Sequence, residues 1–194
     1  SPGSATGIQT SSKYNSYVTN SGDIYVNGYG YVVSTGINAY GKYASYVDND
    51  GGSINVYSTY TATGISNEGK YGGSFTTSSG DINATAIYGD AVGVDSYSKY
   101  GSSDVNNSGD ITADSTYGAA VGIVSTSEKY GDASVENSCS ISAHSVYGIA
   151  IGVQASTGYG YYGYNPGSVS VDNSGTISAV SDYYIAAGVI ANGY

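Results

Sequence analysis

Arginine, tryptophan and methionine do not occur in this chain of 194 residues, and it holds one cysteine, one histidine, one phenylalanine and two prolines. Five lysines stand against fifteen carboxylates, for a formal net charge of −10. That balance opposes attraction to phosphate backbones and anionic membranes, so no nucleic-acid partner is expected. The single Cys139 cannot close an intrachain disulfide, and no run approaches the ~18 apolar residues of a membrane-spanning helix, so membrane insertion is not expected. Methionine is missing even at position 1. The chain therefore starts where a precursor was cut or is a segment of something longer, and Ser1-Pro2-Gly3 fits the start left by removal of a secretion signal. An extracellular or cell-surface location follows as the expectation.

What is present points to strands. Thirty Gly and twenty-four Tyr accompany many Ser, Thr, Ala and Asn, and 40% of residues are hydrophobic, enough to bury a core. Leu, Gln, Arg and Met are scarce or missing, while Val, Ile, Thr and Tyr are plentiful, so the propensities favour an all-β chain with Gly and Asn turns.

The stretch Asn20-Ser21-Gly22-Asp23-Ile24 returns at Asn107-Ser108-Gly109-Asp110-Ile111, and between and beyond them a unit of about 29 residues repeats. Aligned on isoleucine, the units read Gly22-Asp23-Ile24, Gly52-Ser53-Ile54, Gly80-Asp81-Ile82, Gly109-Asp110-Ile111, Cys139-Ser140-Ile141 and Gly175-Thr176-Ile177, spaced 30, 28, 29, 30 and 36 apart. The long last step holds an insertion at 160–166. Upstream lies Val-x-Asn, ending in Asn20, Asn49, Asn107, Asn137 and Asn173, with Phe75-Thr76-Thr77 departing in the third unit. Downstream lies Ala-x-Gly-Ile/Val, as in Ala91-Val92-Gly93-Val94 and Ala120-Val121-Gly122-Ile123.

Three short alternating segments in 29 residues are too few for a sandwich, but they make one coil of a parallel β-solenoid, expected to be a right-handed β-helix. Ile, Ala and Val point inward, and the backbone pairs with neighbouring coils at ~4.8 Å. The expected organisation is one domain over 1–194, with a partial coil or donor strand at 1–16 and about six coils at 17–45, 46–73, 74–103, 104–134, 135–170 and 171–194. At each corner Gly22, Gly80, Gly109 or Gly175 is expected to supply a positive φ. The asparagines are expected to bond their own turn or the Asn of the next coil. The arrangement resembles the β-solenoid repeats of bacterial surface proteins, among them autotransporter adhesin passengers, in which NSG-x-I-x-A and A-x-G-I recur. The resemblance covers nearly the whole chain and implies a stalk, adhesin or filament.

Coil repeats become surface columns. Lys13, Lys42, Lys70, Lys99 and Lys129 lie 29, 28, 29 and 30 apart, each followed by a tyrosine: Tyr14, Tyr43, Tyr71, Tyr100 and Tyr130. Gly158-Tyr159 keeps the Tyr without the Lys. Like charges ~5 Å apart repel by roughly 1 kcal/mol, and Glu68, Glu128, Asp104 and Asp132 are the acids expected to compensate. The stripe reads either as a solvated corner or as a contact with an acidic face of another subunit. A second column, Tyr29, Tyr60, Tyr88, Tyr117, Tyr147 and Tyr183, is expected to stack across coils, with glycan binding as its sharper reading.

Chemistry-bearing residues are sparse. His144 falls in outward phase and carries no expected ligand role. Cys139 replaces a corner Gly, either as a small turn residue or as an attachment point. Asp23, Asp81 and Asp110 form an interrupted column without calcium-binding nonapeptides, so no cofactor is implied beyond adventitious surface Ca²⁺. No nucleophile elbow, His/Cys cluster, phosphate loop or arginine base is found, so the chain is not expected to be an enzyme. Irregular Thr spacing argues against ice binding, and the sequons at Asn83 and Asn106 are short enough to be accidental.

Both ends carry repeat chemistry without a capping element, and uncapped strand edges invite association. The expected function is a structural subunit of an extracellular filament or surface fibre. Copies would join head to tail as a homopolymer, with strand exchange by 1–16 to reconcile seven third strands with six first and six second strands. The alternative is a segment of a secreted adhesin that meets glycans or neighbouring filaments through its Tyr-rich faces.

Overall fold

The computed structural model describes residues 3–158 and 167–193, which form nineteen strands and no helix. Tyr159 and the expected insertion at 160–166 lie outside the described residues. The strand β1 (Ser4–Ser12) comes first, and triplets follow: β2 (Ser16–Asn20), β3 (Ile24–Gly28) and β4 (Val33–Gly41); β5 (Ala44–Asn49), β6 (Ile54–Ser58) and β7 (Thr61–Gly69). Next come β8 (Gly73–Ser78), β9 (Ile82–Ala86) and β10 (Ala91–Ser98); β11 (Ser103–Asn107), β12 (Ile111–Ser115) and β13 (Ala120–Ser127). The series ends with β14 (Ala133–Asn137), β15 (Ser140–Ser145) and β16 (Ala150–Thr157); β17 (Val169–Asn173), β18 (Thr176–Ser181) and β19 (Ala186–Asn192).

No strand pairs with its neighbour in sequence. Each pairs, in parallel, with the strand three places along, giving a first-strand sheet β17-β14-β11-β8-β5-β2, a second-strand sheet β18-β15-β12-β9-β6-β3 and a seven-stranded third-strand sheet β1-β4-β7-β10-β13-β16-β19. This is the expected β-solenoid with three strands per coil. The register keeps the repeat intact: Ile24, Ile54, Ile82, Ile111, Ile141 and Ile177 stack in one column. First strands begin one or two residues ahead of the cuts at 17, 46, 74, 104, 135 and 171, because a small or apolar residue there, such as Ser45, Ser103 or Ala133, also faces inward.

Alternation builds the core. In β12, Ile111, Ala113 and Ser115 face in while Thr112 and Asp114 face out. Eight isoleucines and valines of the inner columns, from Ile37 to Val153, are completely buried among the described residues, each burial stabilising by about 1.5–3 kcal/mol. In the third strand the alternation breaks at glycine, since Gly93 and Val94 are both buried. The cause is a notch. A methyl group on Gly93 would lie 2.4 Å from Ile111 Cγ2 and 2.5 Å from the Gly122 carbonyl oxygen. The A-x-G-I motif thus makes room, across the narrow interior, for the isoleucine of the second strand.

The interior is also partly polar. Buried serines link the first and third strands: Ser74 and Ser96 hydroxyls lie 2.9 Å apart, Ser96 and Ser103 3.0 Å, and Ser125 donates to Ser103 Oγ at 3.0 Å. Hydroxyls are small enough for this corner, and these four find the partners that burial requires, whereas Ser45, in the same column one coil earlier, has none.

Candidate interaction surfaces

The corner motif is a ladder running along the rod. Asn20 Nδ2 donates to Gly22 O at 2.7 Å within its own turn and to Asn49 Oδ1 at 2.7 Å in the next coil. Asn107 donates to Gly109 O and to Asn137 Oδ1, and Asn137 to Cys139 O and to Asn173 Oδ1. The third coil interrupts the series. Asn49 donates to Ser78 Oγ, Ser78 donates to Gly80 O, and the buried Asn107 Oδ1 is left without a donor.

The corner glycines differ from expectation. Positive φ occurs at Gly30, Gly51 and Gly73, not at Gly22, Gly80, Gly109 or Gly175. Crowding is the physical reason for glycine at three of them: a side chain on Gly80 would meet Gly52 O at 2.0 Å, on Gly109 Gly80 O at 2.3 Å, and on Gly175 Cys139 O at 2.1 Å. The aspartates beside them also act between coils. Asp81 Oδ1 accepts the Asp110 N–H, and Asp110 Oδ1 accepts the Ser140 N–H, each at 3.0 Å. Asp23 accepts both the hydroxyl and the N–H of Ser53, which holds its carboxyl below the usual carboxylate range.

Along the lysine stripe the rings meet in an unbroken row: Tyr14 stacks on Tyr43 (6.0 Å), Tyr71 on Tyr100 (5.3 Å) and Tyr100 on Tyr130 (6.2 Å), while Tyr43 and Tyr71 (6.1 Å) are tilted by 50°. The acids near the stripe offer the lysines no direct ion pair. Among the described residues no lysine lies within 4 Å of a carboxylate, because Asp104 accepts from Ser134, Asp132 from Ser168, and Glu128 from the Tyr97 hydroxyl. The cations turn to ring faces instead. Lys70 Nζ lies 5.3 Å from the Tyr71 centroid, and Lys99 and Lys129 lie 5.8 and 5.2 Å from that of Tyr100. Such contacts contribute ~0.5–1 kcal/mol each at exposed sites. Lys13 and Lys42 remain exposed.

The second tyrosine column is continuous only in its later half, through Tyr88, Tyr117, Tyr147 and Tyr183 at 5.5, 5.2 and 4.9 Å. Tyr29 instead meets Tyr57, and Tyr60 meets Tyr31. Corner length is the reason. Three residues separate Ser58 from Ala62, but four separate their partners Ala86 and Ala91, so the backbone aligns Tyr88 with Thr59 and Gly89 with Tyr60. The offset opens a groove of about 470 Å³ lined by Gly30, Tyr31, Thr59, Tyr60 and Tyr88.

Three features escaped the sequence reading. Tyr17, Tyr46 and Phe75 stack at 4.9 and 5.0 Å on the outer face of the first-strand sheet, where Asp104, Ser134 and Ser170 follow in the same column. Their 29-residue spacing was visible. The register sets Phe75 opposite Tyr46 and Thr76 opposite Val47, so the third unit's counterpart of Val-x-Asn is Thr76-Thr77-Ser78 and not the expected Phe75-Thr76-Thr77. His144 lies between carboxylates, 3.8 Å from Asp114 and 3.5 Å from Asp182, an ion pair only when the imidazole is protonated. On the third-strand sheet, burial and then repulsion from Glu68 raise the Asp95 carboxyl, while burial and the Glu128 carboxylate raise the Tyr97 phenol.

The two ends expose the ladder and the core. Val189 in β19 is 46% exposed, whereas its partner Val153 is fully buried. Six notch glycines each face an isoleucine methyl: a Cβ on Gly7 would lie 2.6 Å from Ile24 Cγ2 and one on Gly152 2.2 Å from Ile177 Cγ2, but one on Gly188 would meet nothing within 4 Å. Asn20 Oδ1 accepts no hydrogen bond at one end among the described residues, and the outward N–H of Asn173 finds no Asn at the other.

Among the described residues no group of three or more His, Cys, Asp or Glu side chains is placed to hold a metal ion, and Cys139 is a half-buried free thiol. No described helix is long and apolar enough to cross a membrane. No family model, curated protein or solved structure matches the chain.

Proposed function

We propose that the chain is a structural subunit of an extracellular filament or surface fibre whose copies join head to tail. The observation that carries this reading is the complementarity of the ends. One end offers the edges of β1, β2 and β3 with the Asn20 acceptor, and the other offers β17, β18 and β19 with the Asn173 donor. Parallel strands and a one-way ladder make the ends different from each other and suited to each other, and contacts of that kind extend without closing. The resemblance to surface-protein repeats supports a location outside the cell. Electron microscopy and light scattering over a concentration series test the reading. Long unbranched fibres are the expected result, and discrete particles ~30 Å tall at high concentration would overturn it.

The groove at Tyr31, Tyr60 and Tyr88 favours a second reading, an adhesin segment that stacks sugar rings on exposed tyrosines. A chain that stays monomeric and loses glycan binding on Tyr60→Ala would establish it instead.

A further inference from the structure

We propose, resting on the filament reading, that copies join by exchange of β1: the β19 of one copy replaces β1 on the edge of β4 in the next, and Gly188 receives that copy's Ile24. The third-strand sheet has seven strands and the other two have six. Suppose a second copy continues the asparagine ladder, with its Asn20 over Asn173. Its β2 then lies on β17 and its β3 on β18, and the strand beneath its β4 has to be β19. That edge is already held by its own β1, paired through Thr6↔Thr35 and Ile8↔Ile37. The two strands claim one place, so one of them leaves.

They are built alike. Ala5-Thr6-Gly7-Ile8 and Ala186-Ala187-Gly188-Val189 occupy the same columns of the sheet. Gly7 makes the notch for Ile24, while the notch at Gly188 is vacant. We assign the leaving role to β1, because its departure lets the vacant notch at Gly188 take Ile24 and covers the 46% exposed Val189. Each junction then trades one intramolecular strand pair for one intermolecular pair. It also adds two pairs, β2 on β17 and β3 on β18, and buries Val189. Release of β1 is the step that slows assembly.

Two valine substitutions have opposite expected effects. Gly7→Val would place a side chain 2.6 Å from Ile24 Cγ2 and 2.7 Å from Gly36 O, so it expels β1 and shortens the lag before fibres form. Gly188→Val enters open space in the single copy, leaves its melting unchanged and abolishes fibres by barring Ile24. A third variant leaves both notches intact: Ser11→Cys with Tyr40→Cys on paired outward positions pins β1 to β4 when oxidised. Fibres are expected after reduction and not before. Wild-type chain that stays monomeric throughout overturns the filament reading and the exchange together. Fibres formed equally fast by wild type, Gly188→Val and the oxidised double variant overturn the exchange alone.

Discussion

Val153 and Val189 hold the same place in the repeat, yet the first is completely buried and the second is 46% exposed. Gly152 and Gly188 differ in the same way: a methyl on the first would lie 2.2 Å from Ile177 Cγ2, and one on the second would enter open space. A residue of the solenoid takes its energetic worth from the coils on either side, not from its motif. An inner coil is packed twice and a terminal coil once, so identical letters stabilise by different amounts, as nearest-neighbour models of repeat proteins require.

The sharpest way to break that comparison is to cut the same side chain in both places. Ile111→Ala empties a fully buried position and is expected to cost about 2–5 kcal/mol, while Ile177→Ala, half-buried, costs less than half as much. Equal losses in denaturant titrations of the single-copy protein would refute the rule. Next in size, Gly93→Ala forces a methyl against Ile111 and is expected to cost about 1–3 kcal/mol, whereas Gly188→Ala stays within about 0.5 kcal/mol of wild type in thermal melts.

The ladder offers a gain rather than a loss. Asn107 Oδ1 in mid-rod and Asn20 Oδ1 at the end both lack a donor, but only the first is hidden from water. Ser78→Asn supplies that donor and is expected to stabilise by ~1 kcal/mol, a rise in Tm of roughly 2–4 °C. An unchanged or lower Tm would mean that the larger amide does not fit the third corner.

The smallest expected effect depends on pH. Burial and Glu68 raise the Asp95 pKa in the folded chain. As pH rises, the unfolded state releases this proton first, so stability present below the ordinary Asp range is lost as pH climbs through the raised folded value. Asp95→Asn should therefore melt a few degrees higher than wild type at neutral pH, and the gap should close in acid. A gap that persists in acid would exclude this cause.

The 29-residue period made the fold and the columns legible, because each coil pairs with the next at the same phase. The ladder at Asn20, Asn107 and Asn137 was foreseeable for that reason. Contacts across the interior were not, since the period says which residues stack but not which face each other. The role of Gly93 under Ile111 therefore emerged only from the structure, and Gly80 proved crowded rather than left-handed. The break between Tyr60 and Tyr88 was half visible: those tyrosines are 28 apart, whereas Ala62 and Ala91 are 29 apart. The partners of Lys70, Lys99 and Lys129 depended on side-chain reach, which spacing does not report.

The same uneven corners have a use. Five residues separate Gly28 from Ser34, three separate Ser58 from Ala62, and four separate Ser115 from Ala120, while the strands on both sides keep their register. Loop-closure cost grows slowly, by about 0.6 kcal/mol for each doubling of length, so these corners can carry inserted peptides without disturbing the sheets. A short epitope grafted between Tyr117 and Gly118 would be presented once per copy, and on a fibre at a regular spacing of a few nanometres, roughly one strand spacing for each coil.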